Sequence, residues 1–173
     1  MSPLLSMKQI QLGGHKKGSR IRGYAIVDDE DYEVLNAFKW YAMKHGNTFY
    51  AVRAISNGKG RQKTISVHRE ILKPKKGLLC DHVNHNGLDN RRENLRVCTH
   101  QENMYNMQIS RKNNTSGYKG VVFYKPYKKW CAQIRFQNKG KTLGYFSNPR
   151  DAARAYNEAA LKYHGTFANL NTS

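Results

Sequence analysis

Between Gln9 and Leu72 apolar residues come in short runs, at Gly23-Tyr24-Ala25-Ile26-Val27, Phe49-Tyr50-Ala51-Val52 and Thr64-Ile65-Ser66-Val67, separated by glycine-containing turns. Runs of this length, rich in β-branched and aromatic residues, predict strands. Asp28 or Asp29 caps a short helix through Glu33-Val34-Leu35-Asn36-Ala37-Phe38, with the acids at its positive end. The region reads as a small, β-rich α+β platform, with His68 on a strand as a core or substrate-positioning residue. After the break at Lys73-Pro74-Lys75-Lys76-Gly77, Leu78-Leu79-Cys80 starts a hairpin that returns through Asn94-Leu95-Arg96-Val97-Cys98. Asn84-His85-Asn86-Gly87 supplies turn chemistry between the two strands. Thr99 and Glu102 have capping-box spacing, so a helix begins there and runs towards Met107 or Ser110.

Polar residues dominate from Ser110 to Gly117, which marks a linker. Three further strands are predicted at Gly120–Tyr124, Trp130–Phe136 and Lys141–Phe146. A helix capped by Asn148, with Pro149 in its first turn, follows them. Its apolar positions Ala152, Ala155, Tyr156, Ala159, Ala160 and Tyr163 share one face, and Gly165 ends it. The pattern thus gives an α+β chain in two lobes, residues 1–110 and 118–173, joined by a linker at 111–117.

Charge sharpens this picture. Thirty Lys and Arg against twelve Asp and Glu leave a formal charge of +18 on 173 residues, so polyanions are the expected partners. From Arg111 to the end only Asp151 and Glu158 oppose twelve basic side chains, which makes the C-terminal third the phosphate-facing candidate. Asp28 to Asp31 and Glu33 cluster early, as caps and solvated surface. Cys80, Cys98 and Cys131 form no Cys-x-x-Cys pair, which argues against a disulfide framework or a cysteine-rich zinc ribbon. No apolar run approaches the ~20 residues of a membrane span, and the first residues lack a leader pattern. The expectation is a soluble protein of the cytoplasm that binds no membrane.

Hydrolysing a phosphodiester needs an activated water, a cation to neutralise crowded oxygens, and support for the departing alkoxide. His82 can take a proton near neutral pH. Asp81 precedes it directly, and Asn103 lies in the first turns of the helix opened by Thr99. A carboxylate and an amide oxygen are hard ligands, which favours Mg²⁺ or Mn²⁺ over zinc. His85 in the turn is a rival base, and His100 a rival ligand. Arg91, Arg92 and Arg96 are candidate phosphate clamps, although a solvated loop explains the first two equally well.

Asp81-His82, Asn94 and Asn103, with Val67-His68-Arg69 and Asn94-Leu95-Arg96, resemble the ββα-metal motif of HNH endonucleases, particularly the phage and intron homing type. The resemblance implies that His82 is the general base, that Asn94 braces the loop, and that Asp81 and Asn103 bind one divalent metal. The ββα core would span about residues 78–110. Asn103 stands where many members have His, and Asp81 where others have a second His.

Tyr118-Lys119-Gly120-Val121, Trp130 to Arg135, Leu143 to Phe146, Ala152 to Asn157 and Phe167 to Asn171 resemble the plant Apetala2/ethylene-response-factor DNA-binding domain. That resemblance implies a three-stranded antiparallel sheet laid in the major groove with one helix behind it. Lys119, Tyr124, Lys125, Lys128, Lys129, Gln133, Arg135, Lys139 and Lys141 fall on or beside the strands that would face double-stranded DNA. Val122, Tyr124 and Thr142 stand where the plant proteins commonly carry arginine or tryptophan. The expected function is a sequence-targeted homing or mobile-element endonuclease that leaves 3′-hydroxyl and 5′-phosphate ends. One site per chain predicts a nick from a monomer. A non-catalytic DNA-binding regulator and a restriction or toxin-type HNH nuclease are the alternatives.

Overall fold

The computed structural model describes residues 6–13, 23–56, 58, 62–108 and 114–172. Arg111 to Asn113, the first part of the predicted linker, and the first residues, Met1 to Leu5, lie outside them. Contacts divide the chain into two units, Met1–Cys98 and Thr99–Ser173. The architecture is α+β, as the hydrophobic pattern predicts.

In the first unit, β1 (Met7–Gly13), β2 (Tyr24–Asp28), β3 (Trp40–His45), β4 (Thr48–Ser56) and β5 (Gln62–Ser66) form a sheet in the order β2-β1-β3-β4-β5. Only β1 and β3 run parallel. Strands β1 and β3 lie in stretches for which the apolar pattern predicts no separate run. β1 alternates buried and exposed side chains, placing Ile10 and Leu12 in the core with Ala25, Val27 and Trp40. Helix α1 (Asp29–Asn36) carries acids in its first turn, as expected, and buries Leu35, whose carbonyl accepts the Trp40 indole N–H at 2.7 Å.

Val67 does not end a strand. It opens helix α2 (Val67–Leu72), which closes in a left-handed residue at Lys73. His68 therefore lies on a helix, not on the strand predicted from the alternation around it. Val67 and Ile71 anchor α2 in the core, an i, i+4 spacing hidden by the brevity of the helix. His68 is half-buried, and desolvation pulls its imidazole pKa down to about 3, helped by neighbouring His82 and Arg69.

The hairpin pairs β6 (Leu79–His82) with β7 (Leu95–Cys98), in register from Leu79↔Cys98 to His82↔Leu95. Its connecting loop is fastened to β2 by backbone bonds from Ile26 N–H to the Leu88 carbonyl, 2.8 Å, and from Asn90 N–H to the Ile26 carbonyl, 2.7 Å. Asp28, 2% exposed, accepts the Arg92 backbone N–H at 2.7 Å. That carboxylate makes no cap bond to α1, so the loop and not the helix uses it. Gly87 presses against β4, where an added Cβ would stand 2.5 Å from the Phe49 carbonyl oxygen.

The second unit begins with α3 (His100–Asn106), which has the expected capping box: Thr99 Oγ1 accepts the Glu102 N–H at 3.2 Å while Glu102 takes the Thr99 N–H at 2.7 Å. β8 (Val121–Tyr124), β9 (Lys129–Phe136) and β10 (Lys139–Phe146) form an antiparallel sheet in the order β10-β9-β8. Across it lies α4 (Pro149–His164), with Asn148 Oδ1 accepting the Arg150 and Asp151 N–H groups. Ala152, Ala153, Ala159 and Ala160 let the helix approach Val121, Ala132 and Ile134 closely. Lys119, predicted to face DNA, instead donates to the carbonyls of Tyr105, 2.5 Å, and Met107, 2.8 Å, at the end of α3. Tyr105 stacks on His164 at 3.7 Å, which groups α3 with this unit.

Among the described residues no helix is long and apolar enough to cross a membrane. Cys80, Cys98 and Cys131 are not joined in disulfides.

Two expectations follow from this packing. Gly87→Ala must push a backbone carbonyl aside, so it should cost about 1–3 kcal/mol, read as a lowered urea midpoint. Because folded His68 binds its proton only near pH 3, against about 6.5 when unfolded, the unfolded state holds more protons between those values. Stability should be complete above about pH 6.5 and fall steadily as the pH drops towards 3. His68→Gln should flatten that fall in a Tm series from pH 7 to 4; an unchanged slope would remove His68 as its source.

Candidate active site and nucleic-acid interface

Asp81 and His82 end β6, and strand pleat sends neighbouring side chains to opposite sides. Asp81 turns to its cross-strand partner Arg96, whose Nε and Nη2 both donate to Oδ2, at 2.8 and 2.7 Å. His82 turns into a pocket of rings: its centroid lies 5.0 Å from that of His68 and 5.6 Å from that of Tyr50. Both residues are buried, Asp81 to 7% and His82 to 5% exposure.

Burial lowers the His82 pKa, while the Asn90 contact and the carboxylates of Asp81 and Asp89 oppose the fall. The imidazole is thereby held neutral at pH 7, the state in which a ring nitrogen accepts a proton. His82 Nε2 lies 3.4 Å from Asn90 Oδ1. If that nitrogen carries the hydrogen, Nδ1 keeps the lone pair. Asn90 is fully buried, and its Nδ2 has no partner among the described residues.

The loop between the two strands hangs on Asn94. Its Nδ2 donates to the Asp89 carbonyl at 2.7 Å, and its Oδ1 accepts the Asn84 N–H at 2.9 Å. Its own carbonyl takes the Val83 N–H at 2.9 Å. One buried amide therefore holds both arms of the loop. Asn84 adds a bond to Asp89 Oδ2, and His85, predicted as a rival base, is a half-buried turn residue with φ of 63°.

The loop arginines are held by carboxylates. Arg91 grips Asp89 with two bonds of 2.8 Å, and Asp89 is drawn below its ordinary pKa chiefly by them. Arg92 binds Asp31 through two bonds and also meets Glu30. Arg96 holds Asp81. All three predicted phosphate clamps thus serve the folded loop and the hairpin.

Asn103 sits half-buried on α3, one turn past the cap, with its N–H on the Thr99 carbonyl. His100 is exposed at the start of the same helix. Among the described residues no three His, Cys, Asp or Glu side chains gather as a metal site. A carboxylate and an amide oxygen, the donors the sequence offers at Asp81 and Asn103, are of the kind a hard cation takes together with water and phosphate. Asp81 is a buried carboxylate whose charge is met by the Arg96 guanidinium.

On the second unit, strand register sorts the predicted DNA contacts. Cross-strand neighbours share a face, so Val122, Cys131 and Tyr145 form one row, with Tyr124 beside Lys129, Gln133 beside Thr142, and Arg135 beside Gly140. The opposite face carries the rows Val121, Ala132, Gly144 and Phe123, Trp130, Phe146, which pack towards α4. Trp130 is thus a half-buried strand anchor packed against that core, as expected. Lys125 and Lys128 flank the outer face at the β8–β9 turn. Lys139 is exposed at the β9–β10 turn, and Lys141 bends to the Tyr163 hydroxyl of α4 at 2.8 Å, away from the outer face.

Sequence reasoning missed Tyr50 and Asn90. An aromatic in a strand run and an Asn in a polar loop carry no sign that they meet His82, since neither contact is local in sequence.

Residues 73–105 match the HNH endonuclease family model. An uncharacterised HNH endonuclease of Acanthamoeba polyphaga mimivirus is 28% identical over 174 residues, covering 96% of this chain and 82% of the relative. Dehydration-responsive element-binding protein 2D of Arabidopsis thaliana is 44% identical over 61 residues, 34% of this chain and 29% of that protein. APETALA2-like protein 2 of Oryza sativa is 38% identical over 60 residues, 35% of this chain and 14% of its own length. No solved structure gives a significant match. The hairpin with its braced loop and these similarities show that the chain carries an HNH endonuclease domain, together with a region similar to the Apetala2/ethylene-response type of plant transcription factor.

Proposed function

We propose that this protein is a sequence-targeted DNA endonuclease of the homing or mobile-element type, in which residues 1–110 cut and residues 118–173 hold the duplex. The observation that carries the reading is His82: a buried imidazole kept neutral, next to a carboxylate, at the mouth of a loop fixed by Asn94. His82 takes the proton of the attacking water, whose oxygen displaces the 3′ oxygen and leaves a 5′-phosphate. Asn94 keeps the loop, and through it the imidazole, in place. Asp81 and Asn103 would hold a divalent cation, Mg²⁺ or Mn²⁺, which when bound neutralises phosphate oxygens and supports the leaving oxygen. Lys125, Lys128, Lys129, Gln133 and Arg135 would contact the DNA. The net charge of +18 favours that encounter at low salt.

Supercoiled plasmid should be relaxed in Mg²⁺ and left intact in EDTA. Unchanged topology in both would leave a DNA-binding protein without catalysis. His82→Ala should lower cleavage by a factor of about 10² or more while duplex affinity stays within twofold. An equal loss of affinity would take the base role away from His82. Separating Asp81 from its guanidinium tests the ligand assignment without turnover. Arg96→Met takes the guanidinium away from the buried Asp81 carboxylate, so the Tm should drop in EDTA and recover on adding Mg²⁺ by more than in the parent protein. No extra recovery would count against Asp81 as a ligand.

A further inference from the structure

The outer face of the second unit's sheet is unlike a guanine-reading surface. Guanine offers O6 and N7 to a bidentate Arg or Lys, whereas thymine offers a 5-methyl group that is read by apolar contact, and adenine pairs with Asn or Gln. Among the described residues Arg135 is the one guanidinium on this face, near the β9–β10 end. Its middle is instead apolar and hydroxylic. Val122 is 43% exposed in the row with Tyr145, and Thr142 presents its methyl and hydroxyl beside Gln133.

Tyr124, Tyr127 and Tyr145 meet ring to ring, with centroids 4.8 to 5.3 Å apart. Mutual contact fixes their rings, so they present a preformed surface at little entropic cost. All three remain more than a third exposed. Lysines border this cluster at the β8–β9 turn, placing charge where phosphates would lie and leaving the centre for base edges.

We propose that this face selects A·T base pairs in the major groove by contacting thymine methyls, with Val122, Thr142 and the tyrosine trio as the specificity-determining groups and Gln133 addressing adenine. The inference rests on the docking of the sheet on DNA given above as the proposed function. Burying one methyl-sized group is worth about 0.8 kcal/mol, or roughly a fourfold change in affinity per methyl.

The experiment uses the full chain in EDTA, so that nothing is cut. Duplexes are selected from a randomised pool, and the best site is remade with deoxyuridine in place of thymidine, which removes the methyl and keeps every base pair. A selected core rich in A·T, bound roughly fourfold or more weakly after that replacement, is the expected result. Val122→Ser should shrink the difference between the two duplexes without weakening binding to the deoxyuridine form. Equal binding of both duplexes, or a selected core of G·C pairs, overturns the proposal. Failure of the docking itself has a different signature: Lys129→Ala, Gln133→Ala and Arg135→Ala combined would leave duplex affinity and its salt dependence unchanged, and the methyl reading would fall with it.

Discussion

The first unit depends on one buried side-chain amide. Asn94 spends both ends on backbone groups that lie on opposite arms of the loop, the Asp89 carbonyl and the Asn84 N–H. Asn94 itself is 5% exposed and Asp89 3%, so losing the amide would break two bonds at once and leave a buried carbonyl without it. A long loop between two four-residue strands has little regular structure to hold it, and the hairpin alone buries too little to do so. The amide closes the loop from within.

The sheet closes it from outside. Ile26 extends the edge of β2 by exchanging backbone bonds with Leu88 and Asn90, and Asp28 takes the Arg92 N–H. An edge strand that would otherwise show unpaired groups is thus covered by the loop. Tyr50 from β4 and His68 from α2 complete the wall around His82, so the platform sets the environment of the imidazole as well as the position of the loop. Low exposure there does chemical service, since a desolvated imidazole stays neutral at pH 7. The loop arginines belong to the same economy of charge: each is matched to a carboxylate, and the high overall basicity resides elsewhere.

The second unit solves a different problem. Sixteen residues of α4 must lie flat on three short strands, and alanine on the facing side brings helix and sheet together. Gly120, at φ of 72°, leaves room for the Tyr156 ring, which an added Cβ would meet at 2.1 Å. With one face of the sheet committed to α4, its other face is free of the core and carries the side chains that read outward.

The sequence by itself determined the elements whose cause is local: the capping box at Thr99 and Glu102, the Asn148 cap, the alanine face of α4, and the three strands before it. It also marked Asp81, His82, Asn94 and Asn103 through their resemblance to a known motif, and Asn94 bonds to both arms of its loop. Only the tertiary structure decided what surrounds them. That His68 rides a helix, that Asn90 and Tyr50 meet His82, that Arg96 holds Asp81, that Lys119 turns to the end of α3 and that Lys141 bonds to Tyr163 are outcomes of contacts between distant segments. Local pattern reports on a residue's neighbours in the chain, whereas burial and charge pairing depend on which segments fold against each other.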